Sequence, residues 1–308
     1  MAGFRTLVRA AVAGLVTSFS ATACYAIDYQ PFDWVPLPPG TDVLMGYEEF
    51  SAHNEYSNDL AGTFKSDTHL NQEIGVIRYL HYAESRFLGH QWDFNVMLPF
   101  GSLTDGKING QKLVNSTGVA DPVVSAGFWI IDEPENRRFL SVAPYLTIPI
   151  GSYNSSKSLN LGNNRWETQL QSNFTQGIGE KLTIDVSAAW VFYGDNDKSG
   201  SGHQTLSQAS TYEAYTWISY DVTDVVRLGY PNATNALISF GYAGNFGGKQ
   251  KLDGFFNGTK TREDQLRLTY MMMLTPTWQG LVSFSRDVDV SGGFKQNAGL
   301  LLRIAKMF

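Results

Sequence analysis

The chain has 308 residues, 43% hydrophobic and 13% aromatic but only 17% charged, with a formal net charge of −6. That acidic balance argues against a basic nucleic-acid surface. The apolar run Ala10–Phe19 is too short for a bilayer-spanning helix, whereas a membrane β-barrel needs no such run.

The amino terminus reads as a targeting segment. Arg5 and Arg9 precede the apolar run, and Ala21-Thr22-Ala23 and Cys24-Tyr25-Ala26 offer two small-residue cleavage sites. This is the layout of a secretory signal peptide, taken as residues 1–26, with cleavage after Ala23 as the alternative. Cys24 is the only cysteine, and Ala21 is a poor match for the large aliphatic residue that lipidation sites favour. The mature chain is therefore expected to carry no disulfide or thiolate. Loss of two arginines from 23 basic residues leaves 21 against 29 acids, a net charge of −8.

Residues 27–41 hold Pro31, Pro36, Pro38 and Pro39 and read as an extended periplasmic leader. From 42 to 308 the chain falls into twelve segments of period two, with no amphipathic helix. They are expected at about 42–52, 68–82, 86–100, 121–131, 138–150, 164–178, 181–193, 208–222, 236–246, 261–274, 277–288 and 298–308. The second carries Leu70, Ile74, Val76, Leu80 and Tyr82 on one face. The third alternates Leu88, Trp92, Phe94, Val96 and Leu98 with Gly89, Gln91, Asp93, Asn95 and Met97. The sixth sets Trp166, Leu170, Phe174 and Ile178 against Arg165, Glu167, Gln169, Gln171, Asn173 and Thr175. The tenth sets Leu266, Leu268, Tyr270, Met272 and Leu274 against Glu263, Gln265, Arg267 and Thr269.

The connections alternate. Long loops such as 51–67, 101–120, 151–163, 194–205 and 247–260 follow odd segments, and short turns such as Ala83-Glu84-Ser85, Gly179-Glu180 and Thr275-Pro276 follow even ones. Alternating long and short connections and an even strand count are the pattern of an up-and-down outer-membrane barrel, with both termini on the periplasmic side. A secreted β-sandwich would also alternate apolar and polar residues. Strand length, a sparsely charged polar face and aromatics near strand ends favour the barrel. Those aromatics are Tyr79, Tyr82, Phe100, Trp129, Trp166, Tyr193, Tyr220, Tyr270, Trp278 and Phe308. The expected fold is all-β, an up-and-down antiparallel transmembrane barrel of about twelve strands. The last is expected to pair with the first, with Leu300, Leu302, Ile304 and Lys306 facing outward.

Four loop motifs follow in order: Gly118-Val119-Ala120-Asp121-Pro122, Ile148-Pro149-Ile150-Gly151-Ser152-Tyr153, Asn160-Leu161-Gly162-Asn163-Asn164-Arg165-Trp166 and Gly194-Asp195-Asn196-Asp197. In this order they resemble the meta-pathway phenol-degradation family of outer-membrane barrels. That family is distantly similar to barrels that admit fatty acids and toluene-like hydrocarbons. The resemblance spans nearly the whole mature chain. It implies a transporter, and the family name reflects degradation operons and implies no degradative chemistry. The closing Phe308 resembles the carboxyl-terminal signal such barrels present to their assembly machinery.

The period-two register points Gln91, Asp93, Asn95, Arg165, Glu167, Gln169, Gln171, Glu263 and Arg267 into the lumen. Arg165 and Glu167, two apart, form either a structural ion pair or a selectivity contact. Asp195-Asn196-Asp197-Lys198-Ser199-Gly200 resembles the start of a calcium loop, but the twelfth position is Leu206, where a bidentate Glu is required. The five histidines are scattered with no zinc motif, and no Gly-x-Ser-x-Gly elbow occurs. Only His90, read as lying on the apolar face of the third strand, raises the question of an outer-membrane lipid-acting enzyme. No Ser or acid partner can be named for it. The expected function is thus a non-enzymatic outer-membrane channel for small, hydrophobic or aromatic solutes. No cofactor and no metal are expected. The expected partners are membrane lipid, the barrel-assembly machinery and the solute, with no nucleic acid. A lipid-acting enzyme and a non-conducting structural barrel are the alternatives.

Overall fold

The structure, a computed structural model, describes residues 29–308; the expected signal peptide and cleavage site lie outside the described residues. Twelve antiparallel strands form the wall: β1 (Asp42–Asn58), β2 (His69–Tyr82), β3 (Trp92–Ile108), β4 (Val123–Glu133), β5 (Arg138–Thr147), β6 (Glu167–Ile178), β7 (Leu182–Tyr193), β8 (Thr211–Asp221), β9 (Thr234–Gly247), β10 (Thr261–Thr275), β11 (Trp278–Ser291) and β12 (Gly293–Met307). Each strand pairs with its sequence neighbour, and β12 pairs with β1 from Val43↔Met307 to Ser57↔Gly293. A sheet closed on itself has no edge, so every backbone donor and acceptor of the wall can be paired within the chain. This is the condition for crossing lipid with strands.

The long loops carry structure of their own. Ser116–Val119 pairs back onto β3 at Phe100–Leu103. Asn196–Ser199, Gln204–Gln208, Gln250–Leu252 and Phe255–Phe256 form a separate four-stranded sheet at the long-loop rim.

On β6, β7, β10 and β12 the apolar face is turned outward. Leu170, Trp190, Leu268 and Ile304 are exposed on the barrel exterior, where lipid replaces water. On β6, β7 and β10 the opposite face carries a polar ladder. Gln169 donates to Gln171, which donates to Asn173 and Ser187, and Asn173 donates to Ser141. Thr269 and Ser283 share a hydrogen bond of 2.7 Å between β10 and β11.

On β2 the pattern inverts. Leu70, Ile74, Val76, Leu80 and Tyr82 are all buried and point inward, while Ile77 and Tyr79 face out. Period two separates two faces but does not say which one meets lipid. The reason lies in the leader. Residues 29–37 of the leader turn into the barrel, while 38–40 are exposed beside Tyr82 at the short-turn end. Gln91 of the turn before β3 donates to the Leu37 carbonyl at 2.6 Å, and Trp129 Nε1 donates to the Trp34 carbonyl at 3.0 Å. Trp34 packs against Trp129 with ring centroids 6.2 Å apart, and Tyr29 meets Tyr215 edge-on at 6.0 Å. Toward the short-turn rim the inward face of β2, with Leu80, Tyr82, Met97 and Trp129, thus belongs to a hydrophobic core that includes Tyr29 and Trp34 of the leader, while Leu70 at its other end lines the upper lumen.

Three further corrections follow. β3 begins at Trp92, not Arg86, because Phe87-Leu88-Gly89-His90 forms a tight turn with Leu88 and Gly89 at φ of 50° and 84°. His90 therefore sits in that turn, its Nδ1 against the Trp129 carbonyl, rather than on a strand face. Among the expected girdle aromatics, Tyr82, Trp129 and Tyr193 point inward, whereas Tyr79, Trp166, Tyr220 and Trp278 lie on the exterior. Between β8 and β9 the chain coils into a one-turn helix, Thr223–Val226.

Candidate functional site

The interior divides into two halves. Toward the long-loop rim lies a vestibule with roughly 1550 Å³ of empty space, its open mouth included. Its wall includes Arg165, Glu167, Gln169, Tyr193, Tyr215 and Glu263. Toward the short-turn rim the lumen is occupied by the leader. Tyr215 belongs to both halves: it lines the vestibule and carries Tyr29 beneath it.

The four loop motifs meet at the vestibule wall. Asp121 accepts the Gly151 amide at 2.7 Å and the Asn163 amide at 2.6 Å. The Ser152 amide donates to the Val119 carbonyl at 2.7 Å, and the Gly194 amide to the Trp166 carbonyl at 2.8 Å. Asn196 Nδ2 donates to the Asn163 carbonyl at 3.1 Å, and Asn164 Nδ2 donates to Asn196 Oδ1 at 2.8 Å. Close approach explains two glycines. A Cβ on Gly151 would lie 2.5 Å from the Ala120 carbonyl carbon, and one on Gly162 would lie 2.9 Å from the Gly151 carbonyl carbon. The packed loop buries Leu159 and Leu161 against the lumen. Burial lifts the Asp121 carboxyl above its ordinary value, opposed by the amides of Asn163 and Gly151 and by the Arg165 charge.

All nine sequence-derived lumen residues point inward, but they do not form one site. Arg165, Glu167, Gln169 and Glu263 line the vestibule. Arg267 lies below it, its guanidinium 5.8 Å from the Tyr215 ring centre, with Nε donating to Gln265 at 2.6 Å. Gln171 borders a small void shared with Tyr29, Asp33 and Arg78. Gln91 holds the leader, Asp93 accepts the Gly127 amide at 2.6 Å, and Asn95 bonds Ser125. These last three thus sit in the leader-filled half.

Sequence reasoning missed the residues that fasten the leader. Asp33 Oδ1 lies 2.6 Å from Arg303 Nη1, and Asp33 Oδ2 lies 3.7 Å from Arg78 Nη1. Both arginines are buried. A signal was present: each arginine sits among inward-facing positions of a strand and requires an anionic partner in a low-dielectric interior. Phe32, beside Asp33, has a φ of 66° and packs against Leu237, Met271, Leu281 and Leu301. An aromatic side chain at positive φ is strained, so this conformation persists because packing and the ion pair hold it. Asp121, Asn163 and Asn196 stood in the quoted motifs, but their mutual contact is a property of the folded loops.

Among the described residues no group of three His, Cys, Asp or Glu side chains is placed to hold a metal ion. The site is a lined chamber open at the long-loop rim.

Comparison with known proteins agrees with this architecture. An outer membrane channel from Pseudomonas putida F1 is 27% identical, superimposes with a TM-score of 0.82, and is covered over 100% of its length by 91% of this chain. The translocator domain of the autotransporter NalP from Neisseria meningitidis is 10% identical with a TM-score of 0.52, covering 89% of this chain and 91% of that one. The latter is a likeness of fold alone. No curated protein matches the chain. The family model described as "Putative MetA-pathway of phenol degradation" matches residues 54–304. A twelve-stranded outer-membrane β-barrel with a leader folded into its lumen, the chain belongs to that family.

Proposed function

We propose that the chain is a channel for passive entry of small solutes of apolar or aromatic character across the outer membrane. The observation that carries this reading is the vestibule. It opens at the long-loop rim, is lined by both rings and hydrogen-bonding groups, and ends where Tyr29 underlies Tyr215. The Pseudomonas relative, a channel by its description, supports the same reading. With the short-turn rim on the periplasmic side, solute enters the vestibule from outside and passes when the leader shifts. Twelve strands lie between filled eight-stranded barrels and open sixteen-stranded porins, so side chains and leader together decide the bore.

The likeness to an outer-membrane channel favours a channel over a lipid-acting enzyme. A non-conducting structural barrel is the second reading, and the filled lower lumen is the observation that favours it. Planar-bilayer recording separates them. The full-length protein should show small, infrequent openings, and a variant lacking residues 27–37 should show larger and steadier ones. Silence from both, with no uptake of toluene by proteoliposomes, would sink the channel reading.

A further inference from the structure

Arg165 is held from three sides yet is not fully satisfied. Its Nε donates to Glu167 Oε1 at 3.1 Å, its Nη2 donates to Gln208 Oε1 at 2.8 Å, and its guanidinium lies over the Tyr193 ring at 4.5 Å from the centroid. These contacts fix the plane of the fork, which cannot rotate without losing two hydrogen bonds. Arg165 is 3% exposed and lines the vestibule; its Nη1 has no partner in the protein and is covered by its neighbours, so a solute oxygen reaches it only when those side chains part. A buried, charge-bearing N–H without an acceptor is costly, so a ligand atom that supplies one is strongly favoured.

The surroundings narrow what that ligand is. Leu159, Leu161, Val191 and Phe294 line the same space, which suits an apolar body. The carboxylates Asp121, Glu167, Glu213 and Glu263 also line it, against the cations Arg165 and Arg262. The Arg165 charge is already paired with Glu167 at 3.1 Å. A carboxylate solute would enter a chamber with more acids than bases and find no unpaired cation at its end. An uncharged oxygen accepts the same hydrogen bond without that repulsion.

We propose that Arg165 is a specificity-determining residue. It donates from Nη1 to the uncharged oxygen of a ring-bearing solute, while the vestibule carboxylates turn away the corresponding carboxylate anions. This deepens the channel reading and rests on it for its physiological meaning. The discrimination resides in one N–H and its ring of acids, so it is read by binding and needs no transport.

The test is equilibrium dialysis of the detergent-solubilised full-length protein against acetophenone, ethylbenzene and benzoate at neutral pH, each corrected for its uptake by empty micelles. Acetophenone should bind at least tenfold more tightly than ethylbenzene or benzoate. Arg165→Met should remove the advantage over ethylbenzene, and Glu213→Gln with Glu263→Gln should narrow the gap to benzoate. Equal binding of acetophenone and ethylbenzene by the native protein would overturn the inference, since a water molecule would then suffice for Nη1. So would benzoate binding as well as acetophenone. If Arg165→Met does not fold, the comparison on the native protein still decides. Binding of this pattern in a protein that never conducts would uphold the site and reject the channel.

Discussion

Asp33 and Arg303 stand 270 positions apart in sequence, and their side chains meet at 2.6 Å inside the barrel. One belongs to the leader and the other to the last strand. Arg303 also donates to Gln279 of β11 at 2.8 Å, so the leader is tied to the wall through a partly satisfied network. Removing one member of a buried pair typically costs about 3–5 kcal/mol, because the other charge is left uncompensated. Asp33→Asn is expected to loosen the leader without unfolding the wall. Single-channel recording should show longer openings than the native protein, and protease should cut the leader from the short-turn side. Unchanged openings would mean that the leader does not gate.

The exterior and interior faces should respond oppositely to charge. Leu268 faces lipid and Glu263 lines the vestibule. Leu268→Arg is expected to destabilise the barrel by about 2–4 kcal/mol if it lies near the bilayer midplane. Glu263→Gln should change stability by less than about 0.5 kcal/mol. Urea unfolding in lipid vesicles, followed by gel mobility, measures both. A mild effect at Leu268 would contradict the outward register of β10.

Gly151 tests the loop cluster. Its position leaves no room for a Cβ beside Ala120. Gly151→Val should displace the loop that carries Leu159 and Leu161 and break the Asp121 contacts. Rapid cleavage of loop 151–163 by an external protease, with the wall intact, is the expected outcome. A protease pattern like that of the native protein would show that the cluster tolerates the change.

The raised Asp121 carboxyl gives a pH signature. Burial is its main cause, so the folded chain keeps this proton at a pH where the unfolded chain has lost it. Its contribution therefore favours the fold below the unfolded carboxyl's pKa and fades as pH rises through the folded value. Asp121→Asn should flatten the dependence of stability on pH across the mildly acidic range, measured by chemical unfolding at a series of pH values. An unaltered slope would remove Asp121 from the titration.

Phe308 is 71% exposed at the short-turn rim, while its amide donates to the Asp42 carbonyl at 2.9 Å. The backbone bond survives Phe308→Ala, so the purified barrel should keep its stability. Assembly in cells should fall several-fold if the ring is what the assembly machinery reads. Pulse-labelling followed by gel mobility separates slow assembly from an unstable product.

The wall was largely legible in the sequence, because strand period, turn residues and strand count depend on local chemistry. On β6 and β10 one face is rich in Leu and the other in amides, so the lumen side follows directly. On β2 the more apolar face turns inward, since Leu80 and Tyr82 face a core that includes the leader. The leader itself gave no periodic signal: its backbone bonds go to side chains of the wall, as with Leu37 and Gln91, and not to a regular partner strand. The vestibule depends on four separate loops meeting, and such long-range contacts leave only isolated glycines and asparagines in the sequence.

The Asp33–Arg303 contact has a consequence for how the barrel closes. A sheet of alternating faces can slip by one residue at its seam and still satisfy its backbone hydrogen bonds, but every side chain then changes sides. In the observed seam Tyr47 stands opposite Arg303. A slip of one residue in β12 would send that guanidinium into lipid and strand the aspartate inside. Asp33 of the leader therefore acts as a register key: its carboxylate favours the one alignment of first and last strands in which the arginine faces in.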